Sequence, residues 1–336
     1  MKAIVCDQPH TLSVVERQPP VRNPGEVMVR IRRVGLCGTD FHIYTGNQPY
    51  LNYPRVMGHE LSGEVADADA GSPFHAGQLV TINPYLSCGH CIACRKGKPN
   101  CCVNIQVMGV HIDGGMTEFV CVPEGAIVDA QGLSLEQAAM VEFLSIGAHA
   151  VRRADLRTGE RVLVVGAGPI GIAAALAARL AGAEVSLIDT MAQRLAYARD
   201  KLGFAEVAEV GESLADWIAR RTGGENFDCV FDATGSARAI ESGFKHVAHG
   251  GRYVLISVVK DTIAFSDPEF HKREMMLIGS RNATRQDFQY VIDRIRDGGI
   301  PADVLNTHRF ELEDMPTVVP QYIENLGSVM KAIGRL

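Results

Sequence analysis

Hydrophobic and polar positions divide the chain into two regimes. Up to about residue 147, short β-like runs (AIVC, VMVRIRRVG, SGEVADA, QLVTI, TEFVCVP) alternate with Gly- and Pro-rich connections, the pattern of a β-rich domain of short strands. The character changes near Arg152. From there apolar runs at 162–166, 185–189, 206–210, 229–233, 253–257 and 276–280 predict strands. Segments of helix length separate them: PIGIAAALAARLA, AQRLAYARDKL, SLADWIARRT and ARAIESGFKHVA. Apolar strand runs joined by segments of helix length indicate a parallel sheet covered on both faces, and six strands suit a doubly wound dinucleotide-binding fold. From about 284 a helix (FQYVIDRIRDG), a loop, a short strand near HRFEL and a last helix follow. Because six strands already complete a sheet, this tail is expected to return to the first domain. The reading is an α/β chain with one domain over 1–147 and 284–336 and a dinucleotide-binding domain over 148–283.

Composition narrows the function classes. A chain of 336 residues with 46% hydrophobic and 21% charged positions has the balance of a soluble globular protein. A net charge of -6 and a pI near 6.0 argue against a nucleic-acid partner, which draws on clustered Lys and Arg. The opening MKAIVCDQPH lacks a secretory apolar core, and the longest apolar run, in PIGIAAALAA, is too short to span a bilayer. The expected location is the cytoplasm, without a membrane partner. There, nine cysteines are many and disulfides are disfavoured, so metal binding is the first use to test.

The run VLVVGAGPIG is a strand leading into Gly166, Gly168 and Gly171 and then an Ala-rich helix. Gly166 permits the tight turn, Gly168 the approach of a pyrophosphate, and Gly171 the close packing of helix on strand. Pro169 and Ile170 open the helix, and Arg194 joins them as a cofactor-binding candidate. Asp189 ends the next strand, placed to accept from an adenosine ribose 2′-hydroxyl and to repel a 2′-phosphate, which favours NAD over NADP. The plainer alternative, an ordinary Gly turn and a helix-capping Asp, does not account for the whole strand–turn–helix–strand context.

Two cysteine-containing patterns point to metal. Cys88, Cys91 and Cys94 form two C-x-x-C steps, and Cys102 follows eight residues later, the ligand spacing of a closed zinc site of four thiolates. Cys101 competes with Cys102 as fourth ligand, and His90 reads as a loop residue. The second pattern is dispersed: Cys37 in GLCGTDFH and His59–Glu60 in GHELSGEV. Thiolate, imidazole and carboxylate suit a catalytic zinc with an exchangeable position, although buried Cys and satisfied His are common in cores.

GLCGTDFH, GHELSGEV, CGHCIACRKGKPNCC, DGGMTEFVCVP, VEFLSIGAHA and VLVVGAGPIG occur in this order between Gly35 and Gly171. In that order they resemble the zinc-containing medium-chain alcohol dehydrogenases, nearest to the polyol (sorbitol-type), threonine and bacterial sugar-acid dehydrogenases. The resemblance implies a GroES-like catalytic domain and a Rossmann domain. It implies one catalytic and one structural zinc per chain, with NAD as coenzyme. Cys37 and His59 would bind the catalytic zinc, with Glu60 a ligand or exchanging near-ligand and Glu142 completing or adjusting the site. Cys88, Cys91, Cys94 and Cys102 would hold the structural zinc, the family spacing selecting Cys102 over Cys101. Thr39 takes the place of the relay hydroxyl and His42 that of the histidine passing the proton to solvent. Two departures stand out: Phe143 follows Glu142 where Pro is usual, and Gln78–Leu79 replaces the common Asp–Arg.

The activity this implies is oxidation of a secondary hydroxyl on a small polar molecule by a homodimer or homotetramer. Arg281, just after the last strand of the dinucleotide domain, could pair with a carboxylate, which would favour a sugar acid over a neutral polyol; it reads equally well as a surface Arg paired with a neighbour. Oxidation of threonine or a simple alcohol would use the same motifs. A sensor that binds NAD and zinc without catalysis is the alternative from another class. Zinc-free reduction of quinones or enones would need neither cysteine pattern.

Overall fold

The computed structural model describes residues 1–48 and 50–336, and the chain divides into two compact units: Met1–Phe143 with Ala283–Leu336, and Leu144–Asn282. Among the described residues, the first unit is built on a seven-stranded sheet in the order Ile127–Asp129, Leu79–Ile82, Glu60–Asp67, Glu26–Leu36, Lys331–Arg335 and Asn306–Glu311, with Phe119–Pro123 also paired to Glu26–Leu36. A smaller sheet pairs Lys2–Gln8 with Thr11–Glu16 and Arg55–Val56. Val27, Val29, Ile31 and Val34 of the long strand, Leu61 and Val65 beside it, and Ala332 are buried in one apolar core. Burial of such aliphatic side chains contributes roughly 1.5–3 kcal/mol each.

The final strand, Lys331–Arg335, was not foreseen: the sequence reading ended the chain on a helix. The helix is there, at Met315–Glu324, and five further residues then enter the sheet. They pair in parallel with Asn306–Glu311 and antiparallel with Leu36–Arg33. Four of the five are buried, so the strand shows no period-2 alternation and a Lys sits among the buried positions.

Among its described residues, the second unit holds six parallel strands in the order Val207–Glu209, Glu184–Asp189, Arg161–Val165, Phe227–Asp232, Val247–Leu255 and Met276–Gly279. Numbered along the chain within this sheet, that order is 3-2-1-4-5-6, with the direction of progression reversing between Arg161–Val165 and Phe227–Asp232; ligands of such sheets bind at this reversal, outside the carboxyl ends of the strands. The helix expected over ARAIESGFKHVA is shorter. Its α-helical part ends at Gly243, a single 3-10 turn follows, and Val247 already begins a strand. Gly243 packs so tightly on the buried ring of Tyr253 that a Cβ there would overlap the phenol, which fixes the chain's path at this exit.

Candidate functional site

The strand Glu26–Leu36 delivers the chain to Cys37, which caps the short helix Gly38–Tyr44. Asp40 accepts a hydrogen bond from the Cys37 amide at 2.9 Å, so the loop that presents the thiol is closed by the helix it starts. His59 and Glu60 lie at the beginning of the neighbouring strand, where Glu60 stands opposite Gly35. Gly35 is required there, because a Cβ would overlap the Glu60 carboxylate. One ligand atom from each of Cys37, His59 and Glu60 lies within 4.8 Å of the others.

The surroundings of this trio are buried and densely charged. His59 Nδ1 and Asp40 Oδ1 face each other at 3.9 Å, and neither has a hydrogen-bond partner. Burial holds the Asp40 carboxyl above the usual carboxylate range, with His59 opposing. Burial would lower the His59 pKa, but Asp40 and the Cys37 thiol reverse this and raise it. Glu142 is also buried; burial pushes its carboxyl up to about 7, and Tyr85 donates a hydrogen bond to its Oε1. Thiolate, imidazole and two further carboxylates crowded out of water are an unfavourable set alone and a matched set for a divalent cation. The unpartnered Nδ1–carboxylate pair is the arrangement that orients a metal-binding imidazole.

Glu60 is engaged elsewhere. Lys331, buried in the final strand, donates to Glu60 Oε1 at 2.6 Å and Oε2 at 2.7 Å, and to the Leu36 carbonyl at 3.1 Å. Its ammonium lies 4.2 Å from the centre of the Phe143 ring. Phe143, the departure from the family pattern noted above, therefore has a physical role: its π-face stabilises a buried cation where Pro offers none. Asp40, Tyr85 and Lys331 were not among the residues singled out in the sequence. Of the relay candidates, Thr39 is half-buried in the first turn of the helix Gly38–Tyr44 and His42 is exposed in its last turn.

The four-cysteine lobe is compact. Ligand atoms of Cys88, Cys91, Cys94 and Cys102 lie within 4.8 Å of one another, while Cys101 points outward and is exposed. The Cys91 sulfur is 3.5 Å from that of Cys94 and 3.8 Å from that of Cys102. A tetrahedral zinc with bonds of ~2.3 Å needs sulfurs about 3.8 Å apart, and these two separations lie close to that spacing. Backbone amides of Cys94 and Val103 bring the Cys91 thiol down to about 6, favouring the thiolate a metal requires, while burial pushes Cys94 up to about 11.

In the second unit, Gly166 turns with φ 98°, and a Cβ on Gly171 would run into the Gly166 carbonyl. Pro169 and Ile170 lie in the first turn of the helix Pro169–Leu180. Asp189 accepts from the Ala167 amide at 2.6 Å and the Met191 amide at 2.8 Å. It thus braces the glycine turn from the tip of the adjacent strand. Arg194 brings its Nη1 to 3.9 Å from Asp189 Oδ2 and to 3.3 Å from the place of a Gly168 Cβ. A carboxylate and a guanidinium flank the turn that a pyrophosphate would approach. Arg281 is exposed, just past the strand Met276–Gly279.

Comparison with known proteins agrees with this geometry. Residues 23–132 match the family described as alcohol dehydrogenase GroES-like domain, and residues 169–297 that described as zinc-binding dehydrogenase. The chain is 39% identical over 334 residues to L-galactonate-5-dehydrogenase of Escherichia coli K12, covering 99% of this chain and 98% of that protein. It is 33% identical to 2-dehydro-3-deoxy-L-galactonate 5-dehydrogenase of Pseudoalteromonas atlantica, over 86% of each chain. A crystal structure from Escherichia coli CFT073, called a short chain alcohol dehydrogenase (rspB) complexed with the cofactor NADH, superposes with a TM-score of 0.93 at 28% identity, covering 100% of this chain and 99% of that one.

Proposed function

This chain belongs to the zinc-binding alcohol dehydrogenases with a GroES-like domain, and on that premise we propose that it oxidises a secondary hydroxyl of a sugar acid or polyol with NAD as hydride acceptor. The observation that carries the reading is the meeting of half-buried Cys37 with buried His59 and Glu60 at the ends of adjoining strands. The choice of a sugar acid rests on similarity to the two galactonate-series dehydrogenases. No described helix is long and apolar enough to cross a membrane. Nine unbridged cysteines suit a reducing compartment, and we place the protein in the cytoplasm.

In this proposal Cys37 and His59 hold the catalytic zinc, with Glu60 and Glu142 as the carboxylates able to join them. Cys88, Cys91, Cys94 and Cys102 hold the structural ion. When bound, the catalytic zinc supplies Lewis acidity that makes a hydroxyl easier to deprotonate, and the nicotinamide ring accepts the hydride. The chain's own residues then manage the proton. Thr39 Oγ1 would accept it from the substrate hydroxyl while passing its own proton onward, and the exposed imidazole of His42 would hand a proton to water. Asp40 orients His59, and Lys331 holds the Glu60 carboxylate in place through two hydrogen bonds while it is away from the metal. Gly166, Gly168, Pro169, Ile170 and Gly171 form the phosphate turn. Asp189 favours the free ribose 2′-hydroxyl of NAD. The exposed apolar positions Met276 and Leu277 of the sheet's edge strand support a homo-oligomer, a dimer or tetramer.

The test is NADH formation by the zinc-replete protein across aldonates, polyols, threonine and simple alcohols, with NADP in parallel. Turnover of an aldonate or polyol with NAD is the expected result. Turnover confined to threonine or simple alcohols would overturn the substrate class. Tight NADH and zinc binding with no turnover of any of them would favour a sensor.

A further inference from the structure

We infer that Asp232 is a positioning residue for the dinucleotide, setting the loop that closes against the phosphate turn; the inference rests on the NAD-binding reading above. Asp232 ends the fourth strand of the parallel sheet, Phe227–Asp232, beside the point where strand order reverses. Its side chain is fully buried. Among the described residues no basic side chain is paired with it, so its oxygens depend on hydrogen bonds.

Those bonds gather three chain segments. Oδ1 accepts from the Thr234 amide at 3.1 Å, from Thr234 Oγ1 at 3.0 Å and from Ser257 Oγ at 3.0 Å. Oδ2 lies 3.2 Å from the same Thr234 hydroxyl. The first two contacts curl the chain after the strand into a tight turn. The third ties that turn to the segment leaving the fifth strand, where the Ile256 amide also donates to the Asp232 carbonyl at 3.0 Å. Thr234 passes the constraint on: its Oγ1 accepts from the Ser236 amide at 3.1 Å, and Ser236 caps the next helix.

The turn so fixed rests on the coenzyme loop. The Ala233 amide donates to the Val165 carbonyl at 2.9 Å. A Cβ on Gly166 would come within 3.1 Å of the Ala233 carbonyl oxygen and 3.3 Å of Thr234 Cγ2. The glycine turn that receives the pyrophosphate is therefore backed by Ala233–Thr234, whose path is set by one buried carboxylate. An apolar residue would fill the same space but leave the Thr234 amide and the Ser257 hydroxyl without their acceptor. Burial raises the Asp232 pKa by more than the hydrogen bonds from Thr234 and Ser257 lower it.

The experiment compares wild type, Asp232→Ala, Asp232→Asn and Ser257→Ala by NADH fluorescence titration and by steady-state kinetics in NAD. Asp232→Ala is expected to raise the NADH Kd about tenfold, and to raise KM for NAD by a larger factor than it lowers kcat. Zinc content should hold, because both cysteine sites lie in the other unit. Asp232→Asn keeps one acceptor oxygen and should recover most of the affinity; Ser257→Ala should fall between. If Asp232→Ala does not fold, a Ser257→Ala Kd unchanged from wild type overturns the inference. So does an Asp232→Ala Kd within twofold of wild type. A wild-type protein that binds neither NADH nor NADPH would overturn the coenzyme reading and this inference together.

Discussion

Lys331→Met tests the assembly of the metal centre most directly. Methionine keeps the length of the side chain and removes its charge. At 2.6–2.7 Å and an effective dielectric of 20, the Glu60–Lys331 attraction is roughly 6 kcal/mol, but bringing two ions out of water costs several kcal/mol each, so the intact pair contributes little net. Removing one partner is another matter. Glu60 is fully buried and packs against the backbone of Gly35. Leaving it unpaired costs about 3–5 kcal/mol. For a unit of about 200 residues, that lowers the thermal midpoint by roughly 6–20 °C. The assay is thermal unfolding followed by circular dichroism, with every variant freed of zinc so that no bound cation replaces the lysine, and with Lys331→Met/Glu60→Gln as the paired control. The double variant should lie closer to wild type than Lys331→Met, because the uncompensated charge is gone. A Lys331→Met midpoint within 2 °C of wild type would refute the argument.

Three further outcomes follow. Cys37→Ala should abolish turnover, by at least about a thousandfold, while the NADH Kd from fluorescence titration stays within about twofold; normal turnover would remove Cys37 from the metal site. Asp189→Ala should weaken NAD binding by loss of the brace on Ala167 and shift the NADP-to-NAD ratio of kcat/KM by about tenfold toward NADP, since Arg194 remains beside the ribose position; an unchanged ratio would assign coenzyme choice elsewhere. Burial and the nearby Lys245 and Arg273 bring the His246 pKa down to about 4, so the folded state binds fewer protons than the unfolded chain between pH 6.5 and 4. Stability is then full above pH 6.5 and is lost as pH falls toward 4, by about 2 kcal/mol after discounting for partial exposure; urea midpoints should show a shallower acid loss in His246→Gln, and equal slopes would refute the assignment.

The parts of the fold visible in the sequence were those with local signatures. Apolar runs and glycine punctuation placed the six parallel strands; the central ones, Arg161–Val165, Glu184–Asp189 and Phe227–Asp232, are mostly buried and so read as near-continuous apolar runs. The spacing of Cys88, Cys91, Cys94 and Cys102 was legible because a loop of that length brings its own ligands together. Lys331 was not. A Lys in a short run near the end of the chain reads as exposed, and its burial is created by Glu60, 271 residues earlier. The available signal was indirect: a buried carboxylate candidate with no assigned cation, and an aromatic at position 143 in place of Pro. Asp40 was read past because its helix is short and its two contacts depend on how Cys37 and His59 converge. Tyr85 shows no pattern at all, since its strand is two residues long and its partner Glu142 lies 57 positions away.

The placement of Lys331 also imposes an order on the birth of the molecule. During translation Glu60 and its strand leave the ribosome well before the lysine that neutralises them, roughly 15–50 s at 5–20 residues per second. In that interval Leu144–Asn282 emerges whole and has every strand of its own sheet, while the strand Glu26–Leu36 still lacks its neighbour at Leu36–Arg33. The nascent chain carries an open β-edge beside a carboxylate without its counter-ion, the kind of surface that chaperones shield and that pairs wrongly when they do not. A nonsense codon just before position 331 would therefore leave the Leu144–Asn282 sheet complete and Glu60 without its counter-ion.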